Sequence, residues 1–212
     1  MGRPKKPLIS RENAVAAAID VIDVDGLDAF SLGSVAKRLG VKSPSLYYHF
    51  SDKAELLAQV ARHILLEVQF DWGAPGAWDE KTITLCVETR RTILKHPNAA
   101  PLLLQFFPRH VLLGAYEQAL VTYPPHHQLH LVINEGLERL TFGSILFETS
   151  ARARGIPTMP SVDSDRYPTL ARSIAANPFD DEGRFVEALR IFLAGVKVLT
   201  EGQDAAITAQ AG

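Results

Sequence analysis

An all-α fold is predicted for this 212-residue chain. Three observations predict it. Apolar residues recur at three- and four-residue spacing nearly throughout, no stretch sustains period-two alternation, and no Val/Ile/Thr run is framed by hairpin turns. Taken in order, Ser10 caps a first helix to about Asp25, with Val15, Ala18, Ile19 and Ile22 on its buried face, and Gly26 stops it. Ser31 caps a short helix through Leu39 that turns Val35, Ala36 and Leu39 inward. Gly40-Val41 makes a tight turn into a second short helix of about 43–50. Ser51-Asp52 then caps a longer one, 53–70, with Leu56, Leu57, Val60, Ile64 and Leu65 on one stripe. The run Asp71-Trp72-Gly73-Ala74-Pro75-Gly76 reads as a loop between two parts of the molecule. The expected division is therefore 1–52, a connecting helix 53–70, and a second helical domain 71–212. In the latter, helices are expected at about 78–95, 99–106, 109–122, 127–153 and 182–201, with Pro101 in a first turn and a short helix near Pro168. Gly155–Asp165 lacks an apolar period and is expected to be mobile, and Gln203–Gly212 is expected to fray.

Composition narrows the class of molecule. With 47% hydrophobic and 22% charged residues the chain has the balance of a globular protein. A single cysteine, Cys86, forms no intrachain disulfide and no thiolate metal site, so a cytoplasmic home is expected. The N-terminus is basic but not a secretory leader, and no window reaches the ~20 apolar residues of a membrane span. Net charge is −2, but its distribution is uneven. Residues 1–11 carry Arg3, Lys5, Lys6 and Arg11 without an acid, and residues 31–51 carry Lys37, Arg38 and Lys42 without an acid. From residue 57 onward 14 basic residues face 17 acidic ones, a net of −3. Any contact with a polyanion must therefore be local to the two basic islands.

Residues 31–50 have what two helices meeting across a tight turn require. Ala36 is small enough for close approach, Gly40 takes a conformation other residues resist, and Val41 and Leu46 fill the space between the helices. The outward residues of the second helix, Lys42, Ser43, Ser45, Tyr47, Tyr48 and His49, all carry hydrogen-bonding groups, and aromatics beside a cation are unusual on a bare surface. A helix of this width fits the major groove of DNA. The other reading of the spacing is a structural αα-hairpin with the tyrosines packed on the fourth helix. The run Ala36-x-x-Leu39-Gly40-Val41-x-x-Pro44-x-Leu46-Tyr47-x-His49-Phe50-x-x-Lys53-x-x-Leu56 resembles the DNA-binding signature of the TetR family of bacterial transcription regulators. The C-terminal half, from Pro168-Thr169-Leu170 and Phe185 to Val196, is similar to the tetracycline-repressor branch, as is the Phe107-Pro108 corner.

That resemblance implies a homodimer in which each subunit has an N-terminal three-helix helix-turn-helix domain and a helical effector-binding and dimerisation domain. The function implied is a repressor released from a palindromic double-stranded operator by a small, largely apolar effector. Operator contacts are expected from Lys42, Ser43, Pro44, Ser45, Tyr47, Tyr48, His49, Lys53 and Ser31, and from an arm carrying Arg3, Lys5 and Lys6. Gly33 stands where the repressor branch offers an arginine, so base reading should rest on the second helix. Leu102-Leu103-Leu104 stand where that branch holds its metal-binding histidine, so a magnesium–tetracycline ligand is disfavoured and no metal or other cofactor is expected. Effector contacts are expected among Leu85, Thr89, Leu103, Phe106, Phe107, His110, Tyr116, Asn134 and Phe142, each of which is equally a core residue.

Small residues mark the expected dimer interface. Gly136 and Gly143, and Ala188 and Gly195, are each seven apart on one helix face, with Leu140, Phe147, Phe192 and Val196 beside them. The alternative is that the glycines seat a bulky neighbour of their own subunit, such as Phe185 or Trp78, with the dimer elsewhere. The i, i+4 pair His126 and His130, with His127 between, has the spacing of some metal sites, but no acid or cysteine adjoins it and a loop role is expected. Two other classes of function find less support in the sequence. No nucleophile elbow, phosphate loop or His-Glu-x-x-His supports an enzyme, and the polar face of Lys42–His49 argues against a vestigial motif in an interaction protein.

Overall fold

A computed structural model describes residues 9–106, 108–124 and 127–210, with side chains described except at 108, 109, 127 and 201–210. Arg3, Lys5, Lys6, Phe107 and His126 lie outside the described residues, as do the side chains of Arg109 and His127. Among the described residues the chain is helical without a strand, as its periodicity predicts. The α-helices are α1 (Arg11–Asp25), α2 (Leu32–Leu39), α3 (Lys53–Leu66), α4 (Trp78–Ile93), α5 (Leu102–Gln105), α6 (Pro108–Val111), α7 (Leu113–Thr122), α8 (His127–Ala153), α9 (Pro168–Ala176) and α10 (Asp181–Gln210). Packing groups them into two units, residues up to Gln69 with 91–117, and 70–90 with 118 onward. The first unit thus takes up residues 91–117, which the sequence division placed in the second domain.

Capping explains the first unit's helix starts. The Ser10 hydroxyl accepts the Asn13 amide at 3.1 Å, and Ser31 and Ser34 form a reciprocal box at the start of α2. Gly40 ends α2 at φ 69°, the left-handed region where a side chain would be strained. Ala14, Ala18, Ile22, Val35, Leu46, Phe50, Leu56 and Val60 are its fully packed interior. Residues after α4 are fastened to α1 and α3 by His96. Its Nδ1 lies 2.8 Å from Asp23 Oδ2 and its Nε2 3.5 Å from Glu67 Oε2, while Asn98 donates to the Asp23 carbonyl at 2.9 Å.

Several element limits differ from expectation for identifiable reasons. In place of a helix over 43–50 there is one 3-10 turn, Ser43–Ser45, followed by turns to His49, because Pro44 supplies no amide and the bonds run three residues back. α3 ends at Leu66 rather than near 70, and Phe70 instead stacks edge-to-face on Trp72 at 4.9 Å. The helix expected at 99–106 is a 3-10 turn, Pro97–Ala99, and α5, with Pro101 at the cap of α5 rather than within it. That expected at 109–122 is divided into α6 and α7. α10 continues to Gln210, where fraying from 203 was expected.

The second unit is built on α8 and α10. Ile133, Leu137, Phe185, Leu189, Leu193 and Val196 interlock there with Ile83, Cys86 and Val87 of α4. Burial pushes the Cys86 thiol up to about 11, which keeps it protonated and unreactive. Arg90, 3% exposed, lies in this unit with Nε 3.0 Å from Ser144 Oγ, Nη1 3.4 Å from Glu182 and Nη2 on Glu148. Its guanidinium also lies 5.6 Å from the centre of the Phe185 ring. Gly136 on α8 leaves room for the ring of Phe192, since a Cβ there would lie 2.4 Å from the ring's Cζ. Gly136→Ala is therefore expected to cost about 1–3 kcal/mol by overpacking. Denaturant unfolding would measure it, with Phe192→Leu in the same chain recovering part of the loss.

Candidate functional site

The turn after α2 presents a polar surface with a buried underside. Leu46 and Phe50 point inward at 0% and 1% exposure, which forces their neighbours outward. Tyr47 is 57% and Tyr48 90% exposed, Lys42 and Pro44 are exposed, and Ser43, Ser45 and His49 are half-buried. The alternative in which the tyrosines pack on the following helix is thereby overturned. No side chain among Lys42, Ser43, Ser45, Tyr47, Tyr48 and His49 makes a hydrogen bond within the described residues. A surface with two exposed phenols, two hydroxyls, an imidazole and an ammonium, none engaged, is free to bond to a partner.

Two other candidates are partly committed within the chain. The hydroxyl of Ser31 accepts the Ser34 amide at 3.0 Å, so its first duty is the α2 cap. Lys53 Nζ donates to the Phe30 carbonyl at 2.8 Å and lies 5.3 Å from the Phe30 ring centre, leaving two of its three donors for an outside acceptor.

Non-local partners that the sequence reading did not single out hold this surface. Arg11 donates from Nη1 to the His49 carbonyl and from Nη2 to Glu55 Oε1 at 2.6 Å, with its guanidinium 4.6 Å from the Phe50 ring centre. Glu55 Oε2 accepts the Ser51 amide at 2.7 Å and the Ser51 hydroxyl at 3.0 Å. Arg11 and these two Ser51 donors hold the Glu55 carboxyl at about 2, against an ordinary value of 4.5. A depressed folded-state value means that the carboxylate's contribution is complete above about pH 4.5 and disappears as pH falls through about 2. Acid titration followed by circular dichroism should show stability falling over that interval, and Glu55→Gln should flatten that part of the curve.

The effector candidates are distributed over both units. In the first, Leu103 is buried, Phe106 and Tyr116 are half-buried and His110 is exposed. In the second, Leu85 lines a recess of about 10 Å³, room for about one water, with Phe70, Trp72, Lys81, Thr82, Ala119, Thr122 and Tyr123. Thr89 donates back to the Leu85 carbonyl at 2.7 Å, Asn134 accepts the Tyr123 hydroxyl at 3.0 Å, and Phe142 is half-buried. Of the interface candidates, Leu140, Gly143, Phe147 and Ala188 line one groove of about 350 Å³ on α8 and α10. Phe147 is 80% exposed there, and nothing lies within 4 Å of a Cβ built at Gly143 or Gly195. Val196 by contrast belongs to the unit's own core, and the close approach at Gly136 is taken by Phe192 of the same chain. His130 Nε2 lies 2.7 Å from the Pro124 carbonyl, a loop contact, and among the described residues no His/Cys/Asp/Glu group has the arrangement of a metal site.

Residues 14–60, which include the capped α2, the Gly40 turn and the exposed tyrosines, match the family model for bacterial regulatory proteins of the tetR family. Over this segment the chain carries the DNA-binding region of the TetR family. The chain is 34% identical over 97 residues to an HTH-type transcriptional regulator of Saccharopolyspora erythraea, a match spanning 46% of this chain and 41% of that protein. It is 24% identical over 210 residues to the class D tetracycline repressor protein of Escherichia coli, covering 95% of this chain and 92% of that one. Among solved structures, the Streptomyces coelicolor TetR family protein ActR in complex with actinorhodin is 26% identical and superposes with a TM-score of 0.74 over 92% of this chain and 99% of that one.

Proposed function

We propose that this chain is a TetR-family transcriptional repressor that binds a near-palindromic operator as a homodimer and is released by a small, largely apolar effector. The observation that carries the reading is the set of disengaged hydrogen-bonding groups at Lys42, Ser43, Ser45, Tyr47, Tyr48 and His49, raised on a capped helix-turn unit. Lys42 and Ser45 are assigned to base edges. Tyr47, Tyr48 and the two remaining donors of Lys53 are assigned to phosphates, with Pro44 packing against the groove wall. Residues 1–52 act as the reader, and 71–212 contain the effector and dimer surfaces.

The apolar majority of the effector candidates supports a lipophilic ligand, and ActR, similar in fold, was solved with a small molecule, actinorhodin, bound. An effector releases DNA only by binding more tightly to the state that does not fit the operator. Among the described residues no helix is long and apolar enough to cross a membrane, consistent with a cytoplasmic regulator. A pairing surface on α8 and α10 is supported by the groove lined by Leu140, Gly143, Phe147 and Ala188. Because Gly143 and Gly195 face open space, leucine at either leaves the protomer intact. Gly143→Leu and Gly195→Leu are therefore expected to yield folded monomers that no longer bind operator. Sedimentation at low micromolar concentration tests this, and dimers in both variants would place the interface elsewhere.

The function is tested by selection of duplexes from a random pool. An inverted repeat is the expected product, since a two-fold dimer reads two identical half-sites. On the selected duplex, Lys42→Ala should alter preference at one base pair per half-site by about 1–3 kcal/mol, whereas Tyr47→Ala should weaken binding to every sequence.

A further inference from the structure

The reading surface has little backbone bonding of its own. From Lys42 to Phe50 it is held by bonds onto three carbonyls, those of Lys42, Ser43 and Leu46, of which one spans four residues. A turn this short does not hold its shape in isolation. Its far end, immediately after Tyr47 and Tyr48, exposes a carbonyl at His49 and an amide at Ser51 that the turn itself does not satisfy. Both are satisfied by one side-chain pair contributed from outside. Arg11, the first residue of α1, donates to the His49 carbonyl and covers the Phe50 ring, and Glu55, in the first turn of α3, accepts the Ser51 amide and hydroxyl. Arg11 and Glu55 then close on each other at 2.6 Å.

We infer that the Arg11–Glu55 pair is a positioning bracket that sets the orientation of His49 for base-pair discrimination, rather than a phosphate contact. This rests on the DNA-binding reading above. Arg11 belongs by sequence to the basic island of residues 1–11, but its charge and its fork of donors are spent on Glu55 and His49. What the bracket provides is geometry, and base contacts require donors held to within about 0.5 Å.

Three variants of the full chain test this, each checked for a native melting transition: Arg11→Met, Glu55→Ala and the charge reversal Arg11→Glu with Glu55→Arg. The probes are a duplex selected by the wild-type protein from a random pool and a scrambled duplex of equal length. Arg11→Met and Glu55→Ala are each expected to lower the ratio of the two affinities about tenfold, the discrimination of one base contact. The slope of log affinity against log salt should stay at the wild-type value. A slope shallower by about 0.9 per lost contact would reassign Arg11 to a phosphate and overturn the bracket. The charge reversal is expected not to restore discrimination, because an arginine at 55 offers no acceptor to the Ser51 amide and a glutamate at 11 no donor to the His49 carbonyl. Restored discrimination would show that only opposite charges matter and would likewise overturn it. Unchanged discrimination in both single variants, with a discriminating wild type, would overturn the bracket alone; a wild type that prefers no duplex would overturn the DNA-binding reading with it.

Discussion

Replacing Leu46 by alanine is expected to destabilise the N-terminal unit by about 2–5 kcal/mol and to abolish DNA binding. Leu46 is completely buried, and its own backbone anchors the turn, donating to the Ser43 carbonyl and accepting the amides of His49 and Phe50. Removing its side chain leaves a cavity under the only residue that ties the start of the reading surface to its end. The contrast with Tyr48 is informative. At 90% exposure its truncation should change stability by no more than about 0.5 kcal/mol, while weakening binding to DNA. Denaturant unfolding beside a binding titration separates the two residues. Equal stability losses would mean that Tyr48 is structural and does not belong to the contact surface.

Arg90→Met is expected to have the second large effect, a loss of about 3–5 kcal/mol in the α4–α8–α10 unit. The arginine is buried with every donor-bearing nitrogen engaged, on Ser144, Glu182 and Glu148. Methionine matches much of its length but leaves Glu148, among the described residues, with Arg152 at 2.8 Å as its cationic partner. Glu182 is 31% exposed at its side chain and recovers some hydration, which places the expected loss toward the lower end of that range. Removing the stranded acid as well, in Arg90→Met with Glu148→Leu, should regain part of the stability because no buried charge is then left without a partner. Thermal unfolding of the two variants side by side measures the difference.

Much of the fold was legible because its signals are local. The limits of α8 were read at both ends, since Pro124-Pro125 and Gly155 punctuate a long amphipathic run. The caps Ser10 and Ser31 are likewise written within three residues of the amides they accept. What was missed is non-local or depends on which of two partners fills a space. Arg11 meets His49 and Glu55 across 38 and 44 residues, and His96 meets Asp23 across 73, separations that no periodicity encodes. Gly136 and Gly143 are seven apart on α8, but a close neighbour is found only at Gly136. The spacing did not say whose side chain enters, and at Gly136 the occupant is Phe192 of the same chain. The 3-10 turn at Ser43–Ser45 was read as a longer helix because its apolar anchors, Leu46 and Phe50, keep helical spacing while the backbone between them does not.

The central claim, that the surface from Lys42 to Lys53 recognises a DNA sequence, is tested most directly by titrating the wild-type protein with its selected duplex and with a scrambled one across a range of salt. The account predicts a preference of about 10³-fold or more for the selected duplex, with both affinities falling steeply as salt rises. Equal affinities for the two duplexes, or binding to neither at low salt, would contradict it.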